Sequence, residues 1–188
     1  LPLEIASEER ESQLAYLVGT LGARNFAVID NGSRTIELVA SSPRGYDWSV
    51  FHLGYRIAFQ RFFQNANSFG VASDRYRQEL APHLRAADFM KDRDGYAGVE
   101  MEDAARYLLS QDRVDGVRIS LETVAQKITA LNAMSREEFG QLKKAKDIDE
   151  ILPRLVVLEQ TLTIFGYREM QVFDRELGVG LIVEKGLP

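Results

Sequence analysis

The stretch most informative about the fold is residues 30 to 37, Asp30-Asn31-Gly32-Ser33-Arg34-Thr35-Ile36-Glu37. An apolar run from Phe26 to Ile29 precedes this stretch, and a second run of β-forming residues extends from Thr35 to Ala40. Two short runs of this kind joined by a tight turn predict adjacent antiparallel strands. We therefore expect Asp30 and Glu37 to lie on neighbouring strands, with their carboxylates converging near Gly32.

Two interpretations of this turn stay open at the level of sequence. Asn-Gly between apolar runs is the commonest hairpin signal, so the turn can be purely structural. A turn of small residues can also point consecutive backbone N–H groups at an anion. Carboxylates beside such a turn can hold Mg²⁺ through oxygen or water ligands next to a phosphate.

The rest of the chain predicts one α/β domain. Ser7 followed by four charged residues at 8–11 predicts a helix start, and Gly22 its end. A third strand of an antiparallel meander is predicted from Trp48 to His52. Further helices are predicted at 55–63, 73–87, 101–110, 120–131, 135–144 and 148–165, and closing strands at 170–173 and 178–184. Residues 88–98 form the most polar connection and are expected to be a mobile loop.

Composition narrows the possible functions of this 188-residue chain. The formal net charge is −5 and no basic stripe offsets it, so we expect no nucleic-acid partner. No apolar run approaches the roughly 18 residues that a bilayer span requires, so we expect no membrane segment. The absence of cysteine excludes disulfides and thiolate metal sites and is compatible with a cytoplasmic protein. Because the first residue is Leu1, we expect the chain to be a piece of a longer gene product.

The histidines and aromatic residues do not indicate a catalytic or binding site. His52 and His83 are the only histidines, too few for a histidine-based metal site or triad, and we expect His83 on the surface. Four phenylalanines are interpreted as core rather than as a platform for stacking bases, because the acidic charge does not suit a nucleic-acid groove. They are Phe59, Phe62, Phe63 and Phe69.

Several segments follow one another in the order seen in a known family. They are Ile5-Ala6-Ser7 with the acidic turn 8–11, Phe26-Ala27-Val28-Ile29-Asp30, His52-Leu53-Gly54-Tyr55-Arg56, Ser120-Leu121-Glu122, Met134-Ser135-Arg136-Glu137-Glu138, Ile151-Leu152-Pro153 and Val172-Phe173-Asp174-Arg175-Glu176-Leu177. In this order they resemble the second half of the exopolyphosphatase/guanosine-pentaphosphate phosphatase family. The resemblance covers nearly the whole chain.

The resemblance implies a fold and a chemistry. The fold is an α/β domain of the ribonuclease-H-like, actin-like group, with a mixed sheet and flanking helices. Residues 1–188 would be the second domain of a two-domain phosphatase, whose first domain is absent from this chain. Glu11 corresponds to the catalytic carboxylate, and Asp30 and Glu37 to the acids that hold Mg²⁺. The phosphate-binding loop corresponds to Gly32, Ser33, Arg34 and Thr35. The resemblance implies polyphosphate or guanosine pentaphosphate as the ligand and the missing first domain as a partner. It is also compatible with a homodimer formed with a second copy of the chain.

The chain also departs from the family pattern. Ser33 and Arg34 replace the second and third loop glycines, which restricts the backbone and crowds a phosphate. The family's second loop, Gly-Gly-Thr, is missing, and residues 92–95 occupy its region. The Arg and Glu that the family has near its end are absent from residues 176–180. Asp147 occupies a position where the family has an Arg. Two functions therefore stay open. One is a phosphoanhydride hydrolase module in which water attacks a terminal phosphate with metal assistance. The other is a catalytically degenerate phosphate-ligand sensor or scaffold.

Overall fold

The computed structural model describes residues 7–20, 25–143, 148–173 and 184. Its strands are β1 Phe26–Asn31, β2 Ile36–Ser42, β3 Gly45–Phe51, β4 Gly95–Val99, β5 Val117–Ser120 and β6 Glu169–Val172. Its helices are α1 Glu8–Thr20, α2 Tyr55–Ala58, α3 Phe69–Ala86, α4 Glu102–Leu109, α5 Leu121–Asn132, α6 Arg136–Lys143 and α7 Ile148–Phe165. A π-helical turn, Phe59–Phe63, continues α2, and a short 3₁₀ turn covers Asp88–Met90.

The strands form one mixed six-stranded sheet in the order β3-β2-β1-β4-β6-β5. The β1-β2 and β2-β3 pairs are antiparallel, which confirms the predicted meander. The β1-β4 and β4-β6 pairs are parallel, and β5 closes the far edge antiparallel to β6. Parallel pairing brings the carboxyl ends of β1 and β4 to the same edge of the sheet, and this edge carries the candidate site.

The prediction of a loop over residues 88–98 is wrong for residues 95–98. Residues Gly95 to Val99 form β4, which lies near the centre of the sheet between β1 and β6. The two glycines of this strand allow close packing: a Cβ at Gly95 would meet the Phe26 ring, and one at Gly98 would meet Met170. The glycines and charges of this segment were interpreted as loop signals, whereas tertiary packing makes it a strand.

Side chains cover both faces of the sheet. On one face, α1 packs over a small apolar cluster that includes Val28, Val39 and Val99. On the other face, a larger core contains the inward residues of α3, α5 and α7. Within the described ranges, α7 is packed on α3, α5, α2 and α4, so it organises this second layer. The expected α/β fold class, a mixed sheet with flanking helices, is confirmed.

The predicted helices are present, and their starts follow ordinary capping chemistry. The Oγ of Ser120 accepts a hydrogen bond from the backbone N of Thr123 at 3.1 Å, and the Oγ of Ser7 accepts one from Arg10 N at 3.2 Å. The strand β5 was missed, and the predicted strand at 178–184 lies outside the described residues except for Glu184. No helix in the described ranges combines the length and the apolar character needed to cross a membrane.

The interpretations of the aromatic residues and of His83 are confirmed. Phe63 and Phe69 are buried, and Phe59 and Phe62 pack against the same core. His83 is exposed and stacks on the Phe51 ring with centroids 5.0 Å apart.

Candidate functional site

The turn between β1 and β2 is held from one side by α2. The carbonyls of Gly32, Ser33 and Arg34 accept hydrogen bonds from the backbone N–H groups of residues 54–57, at 3.0 to 3.4 Å. Every described peptide bond is trans, so the N–H of each peptide group points opposite to its carbonyl. The amides of Ser33, Arg34 and Thr35 therefore point away from α2. Three consecutive amides with one common direction form the type of concavity that binds anions.

Gly54 makes this contact possible. A Cβ built on Gly54 would overlap the carbonyl oxygen of Gly32 and the backbone of Arg34. Such contacts involve main-chain atoms on both sides, so a side chain at position 54 would force the turn and α2 apart. The orientation of the amides thus depends on a glycine that lies 22 residues beyond the turn's first glycine.

The two predicted acids lie directly opposite each other. Asp30 on β1 pairs with Glu37 on β2, as predicted, and opposed residues of an antiparallel pair face the same side of the sheet. That side is the α1 face, since the neighbouring residues Val28 and Val39 belong to the α1 cluster. Both carboxylates are buried, with 7% and 5% of their residue surface exposed. The hydroxyl of Ser12 on α1 donates to Glu37 Oε2 at 2.8 Å.

Asp30 is surrounded by negative charge. Burial, the largest cause, raises its pKa well above the ordinary value, and the carboxylates of Glu100, Glu37, Glu102 and Glu11 raise it further, in that order. Its Oδ1 is buried and finds no hydrogen-bond partner within the described residues. A buried carboxyl in such surroundings is strained electrostatically unless it binds a proton or a cation.

Glu11 lies in the first turn of α1, as predicted, and its carboxylate is close enough to contribute to the pKa shift of Asp30. Its side chain is half-buried, whereas Glu9 in the same turn is exposed. The adjacent Ser12 contacts Glu37, so the start of α1 faces the same acids. The structure therefore brings Glu11, Asp30 and Glu37 to one edge of the sheet.

The chemistry of these groups suits a hard cation, although they do not form a ready-made cage. Oxygen donors are what Mg²⁺ prefers, and the unpartnered Oδ1 of Asp30 is the donor that a cation would stabilise most. Within the described ranges, no group of three or more Asp, Glu, His or Cys residues has the arrangement of a complete metal site. Because Mg²⁺ keeps several waters and takes one or two protein carboxylates beside a phosphate, an incomplete protein cage suits it.

The side chains of the turn agree with both interpretations of its function. Ser33 and Thr35 are half-buried, and Arg34 is exposed. A Cβ at Gly32 would lie 3.4 Å from Thr35 O and 3.5 Å from Glu100 Oε2, which are ordinary van der Waals distances. The carboxylate of Glu100 therefore lies beside the first residue of the turn.

Sequence reasoning missed Glu100, which follows β4 directly and is the strongest charged neighbour of Asp30. It was missed because β4 was interpreted as a loop. The segment at 92–95, which seemed to replace the family's second loop, lies at the opposite end of the sheet, since Gly95 pairs with Phe26 at the start of β1. The segment at the expected place is Glu100-Met101, which joins β4 to α4. The altered positions 147 and 176–180 lie outside the described residues.

Comparisons with known proteins give a clear result for structure only. Models of known protein families do not match the sequence, and curated proteins do not match it either.

Solved structures do match. A Ppx/GppA family member from Aquifex aeolicus has a TM-score of 0.81 at 18% identity, covering 99% of this chain and 65% of that protein. A protein described as exopolyphosphatase-like has a TM-score of 0.77 at 17% identity, covering 99% of this chain and 69% of that one. An exopolyphosphatase from Cytophaga hutchinsonii has a TM-score of 0.69 at 13% identity, covering 96% of this chain and 64% of that one.

These likenesses show that the chain has a Ppx/GppA-like fold. The expected resemblance is thus confirmed at the level of fold. The chain spans about two thirds of the length of the structures it matches.

Proposed function

We propose that this chain is a phosphoanhydride hydrolase module, part of a protein in which water attacks the terminal phosphate of a polyphosphate or of guanosine pentaphosphate. The observation that carries the proposal is the β1–β2 turn. Its carbonyls bond to α2, so the amides of Ser33, Arg34 and Thr35 share one direction beside buried carboxylates. Amides that converge on an anion next to acids that attract a cation are what phosphoryl transfer requires.

Each residue has a role in this proposal. The amides of Ser33, Arg34 and Thr35, in the turn that begins at Gly32, bind oxygens of the terminal phosphate. Glu11, half-buried at the start of α1, orients or deprotonates the attacking water. A single carboxylate suffices for this task because phosphoryl transfer depends mainly on positioning and on charge balance.

Asp30 and Glu37 would hold Mg²⁺. Asp30 is the better candidate ligand because its surroundings are acidic and its Oδ1 has no partner among the described residues. The bound ion would neutralise charge on the phosphate oxygens next to the turn. Ser12 fixes Glu37 in position through its hydroxyl, and this contact orients the carboxylate whether or not an ion is present.

Catalysis in this proposal needs a second wall of the active-site cleft, contributed by another domain. The solved structures with this fold are about half as long again as this chain, and a cleft gains its rate from groups placed on both sides of the phosphoryl group. We therefore expect the isolated chain to hydrolyse neither substrate at a useful rate. The full-length protein would supply the first domain and its phosphate loop.

A second function, a phosphate-ligand sensor or scaffold without catalysis, is favoured by one observation. The turn carries Ser33 and an exposed Arg34 where side chains restrict how closely a phosphate approaches the backbone. In a sensor, Arg34 would contact the phosphate directly, and Glu11 would have no chemical role.

Phosphate release from polyphosphate by the full-length protein with Mg²⁺ separates the two functions. We expect Glu11→Gln to lower the rate by at least about 100-fold, which is the usual contribution of a positioned acid–base group. Glu9→Gln is the matched control, because Glu9 lies in the same helical turn but is exposed. Its rate should equal that of the wild type.

Two results would count against the proposal, and a third would count only against the expectation that catalysis needs a second domain. Equal rates for Glu11→Gln and Glu9→Gln would remove Glu11 from the mechanism. An inactive wild-type protein that still binds tripolyphosphate would favour the sensor. Turnover by the isolated chain that disappears in Glu11→Gln would show that one wall is enough, and the expectation of a second wall would be wrong.

A further inference from the structure

Arg154 is a buried charge for which the proposed mechanism has no use. It lies in the second turn of α7, and only 5% of its surface is exposed. Arginine is rarely buried to this extent unless its charge and its donors are fully paired. Here the buried Nε has no hydrogen-bond partner within the described residues. Packing alone does not explain why an arginine occupies this position.

The guanidinium connects two parts of the candidate site. Its Nη1 donates a hydrogen bond to the carbonyl of Glu100, which lies in the β4–α4 connection. Its plane lies over the ring of Tyr55, with Cζ 3.7 Å from the ring centroid. A guanidinium over an aromatic face is attracted by the ring quadrupole, more strongly when both are shielded from water.

Both contacts lead directly to the turn. The backbone N of Tyr55 donates to Gly32 O at 3.1 Å, and Arg56 N donates to Ser33 O at 3.1 Å. Glu100 has φ of +55°, a left-handed conformation that non-glycine residues adopt only when the surroundings hold them. Its carboxylate lies beside Gly32 and raises the pKa of Asp30.

We propose that Arg154 is a positioning residue for the phosphate-binding turn. Its planar guanidinium fixes the Glu100 segment on one side and the Tyr55 ring on the other, and so sets the orientation of the turn amides relative to the acids. The inference rests on the proposed function in one respect, because it takes the turn as the phosphate site. It does not make Arg154 a ligand of the phosphate.

Backbone hydrogen exchange tests this assignment without any substrate. In Arg154→Met, the amides of Tyr55 and Arg56 should exchange at least about tenfold faster, because their acceptors in the turn are no longer held in place. Arg154→Lys should show the same increase, since an ammonium group lacks the planar fork that stacks on the ring while bonding the carbonyl. Exchange in the centre of β2, around Leu38 and Val39, should not change.

The control is Arg77→Met. Arg77 is a partly buried arginine on α3 whose guanidinium bonds Glu159, a residue of α7, at 2.7 Å. This variant should leave the exchange of Tyr55 and Arg56 unchanged. If Arg154→Met does not fold, Tyr55→Leu removes the ring and keeps the guanidinium, and the Arg56 amide should again exchange faster. Unchanged exchange in the variant that folds would overturn the proposal, as would a uniform increase across β1 and β2.

Calorimetry with tripolyphosphate and Mg²⁺ then separates this proposal from the function on which it rests. If the wild-type chain binds, we expect about tenfold weaker binding in both Arg154 variants and none of this loss in Arg77→Met. Equal affinity in all of them would contradict a positioning role. If the wild-type chain does not bind, the proposed function fails, and the exchange measurement still decides whether Arg154 orients the turn.

Discussion

The two ends of strands β1 and β4 differ in how their charged side chains are paired. At the start of these strands, the guanidinium of Arg93 donates to the carbonyls of Phe89 and Ser41, both at 2.9 Å, and to Asn25 Oδ1 at 3.3 Å. At their far end, Asp30 is surrounded by four other carboxylates, and its Oδ1 has no partner in the part of the chain that the structure describes. The same two strands therefore have a well-paired guanidinium beside one end and a buried acid with an unpartnered oxygen at the other.

This difference separates stability from function within one sheet. Hydrogen bonds to a charged group typically contribute about 1.5 to 3 kcal/mol, so the Arg93 contacts stabilise the fold. At the Asp30 end, the Ser12 hydroxyl donates to Glu37, but the buried Oδ1 of Asp30 has no hydrogen-bond partner within the described residues. Natural proteins retain local conflicts of this kind mainly at functional sites. The comparison predicts that a substitution at the Asp30 end will either disrupt the turn or reduce the repulsion among the carboxylates.

The largest expected effect is that of Gly54→Ala. The added Cβ would overlap the backbone of Gly32 and Arg34, and main-chain atoms cannot move aside as a side-chain end can. We expect the free energy of unfolding to fall by about 3 kcal/mol, at the upper end of the usual cost of overpacking. Urea unfolding of the purified chain measures this loss.

Gly140→Ala is the control for that measurement. Gly140 lies in α6, and no atom outside the helix lies near the position of an added Cβ. Alanine is the better helix former, so this variant should gain about 0.5 to 1 kcal/mol. If Gly54→Ala were as stable as the wild type, α2 would not hold the turn in the described way.

The next effect has the opposite sign. Asp30→Asn should increase the free energy of unfolding by about 1 to 2 kcal/mol at neutral pH, because it removes a buried carboxyl that is repelled by its acidic neighbours. The folded-state pKa of Asp30 is raised, chiefly by burial, so the unfolded chain ionises first as pH rises above about 4. Wild-type stability therefore falls with rising pH from that point until the folded carboxyl has also ionised. The asparagine variant lacks this contribution.

Urea unfolding at pH 5 and pH 8 checks the sign. The advantage of Asp30→Asn over the wild type should be larger at pH 8 than at pH 5, and Asp47→Asn, an exposed acid on β3, should have no such advantage. Added Mg²⁺ should reduce the difference by stabilising only the wild type. A variant that is less stable than the wild type at pH 8 would show that Asp30 is held by favourable contacts after all.

Local patterns in the sequence predicted much of this fold. The β1–β2 hairpin, with Asp30 opposite Glu37, follows from two apolar runs around Asn-Gly. In α3, apolar residues recur at helical spacing at Tyr76, Leu80 and Leu84. The strand β4 was not predictable from its own residues. Gly95 and Gly98 are poor strand formers, and they are accommodated because Phe26 and Met170 fill the space beside them.

The site was predicted only in part, for the same reason. Asp30, Glu37 and Glu11 come from segments whose local patterns are strong. Glu100 and Arg154 come from distant parts of the chain, and only the parallel β1–β4 pairing and the packing of α7 bring them near the turn. Long-range contacts of this kind leave no local signal in a single sequence.

The smallest effect on stability, and the most informative about the ligand, is expected for Arg34→Ala. Arg34 is exposed, and within the described ranges its guanidinium makes no hydrogen bond or ion pair, so the free energy of unfolding should change by less than about 0.5 kcal/mol. Calorimetry with tripolyphosphate and Mg²⁺ should show binding about three- to fivefold weaker, the worth of an exposed charge pair. Arg34→Lys should recover part of this loss, and the loss should shrink at high salt because exposed charges are screened. Tighter binding by Arg34→Ala would mean that the side chain crowds the turn rather than contacting the phosphate, and the turn amides alone would then account for binding.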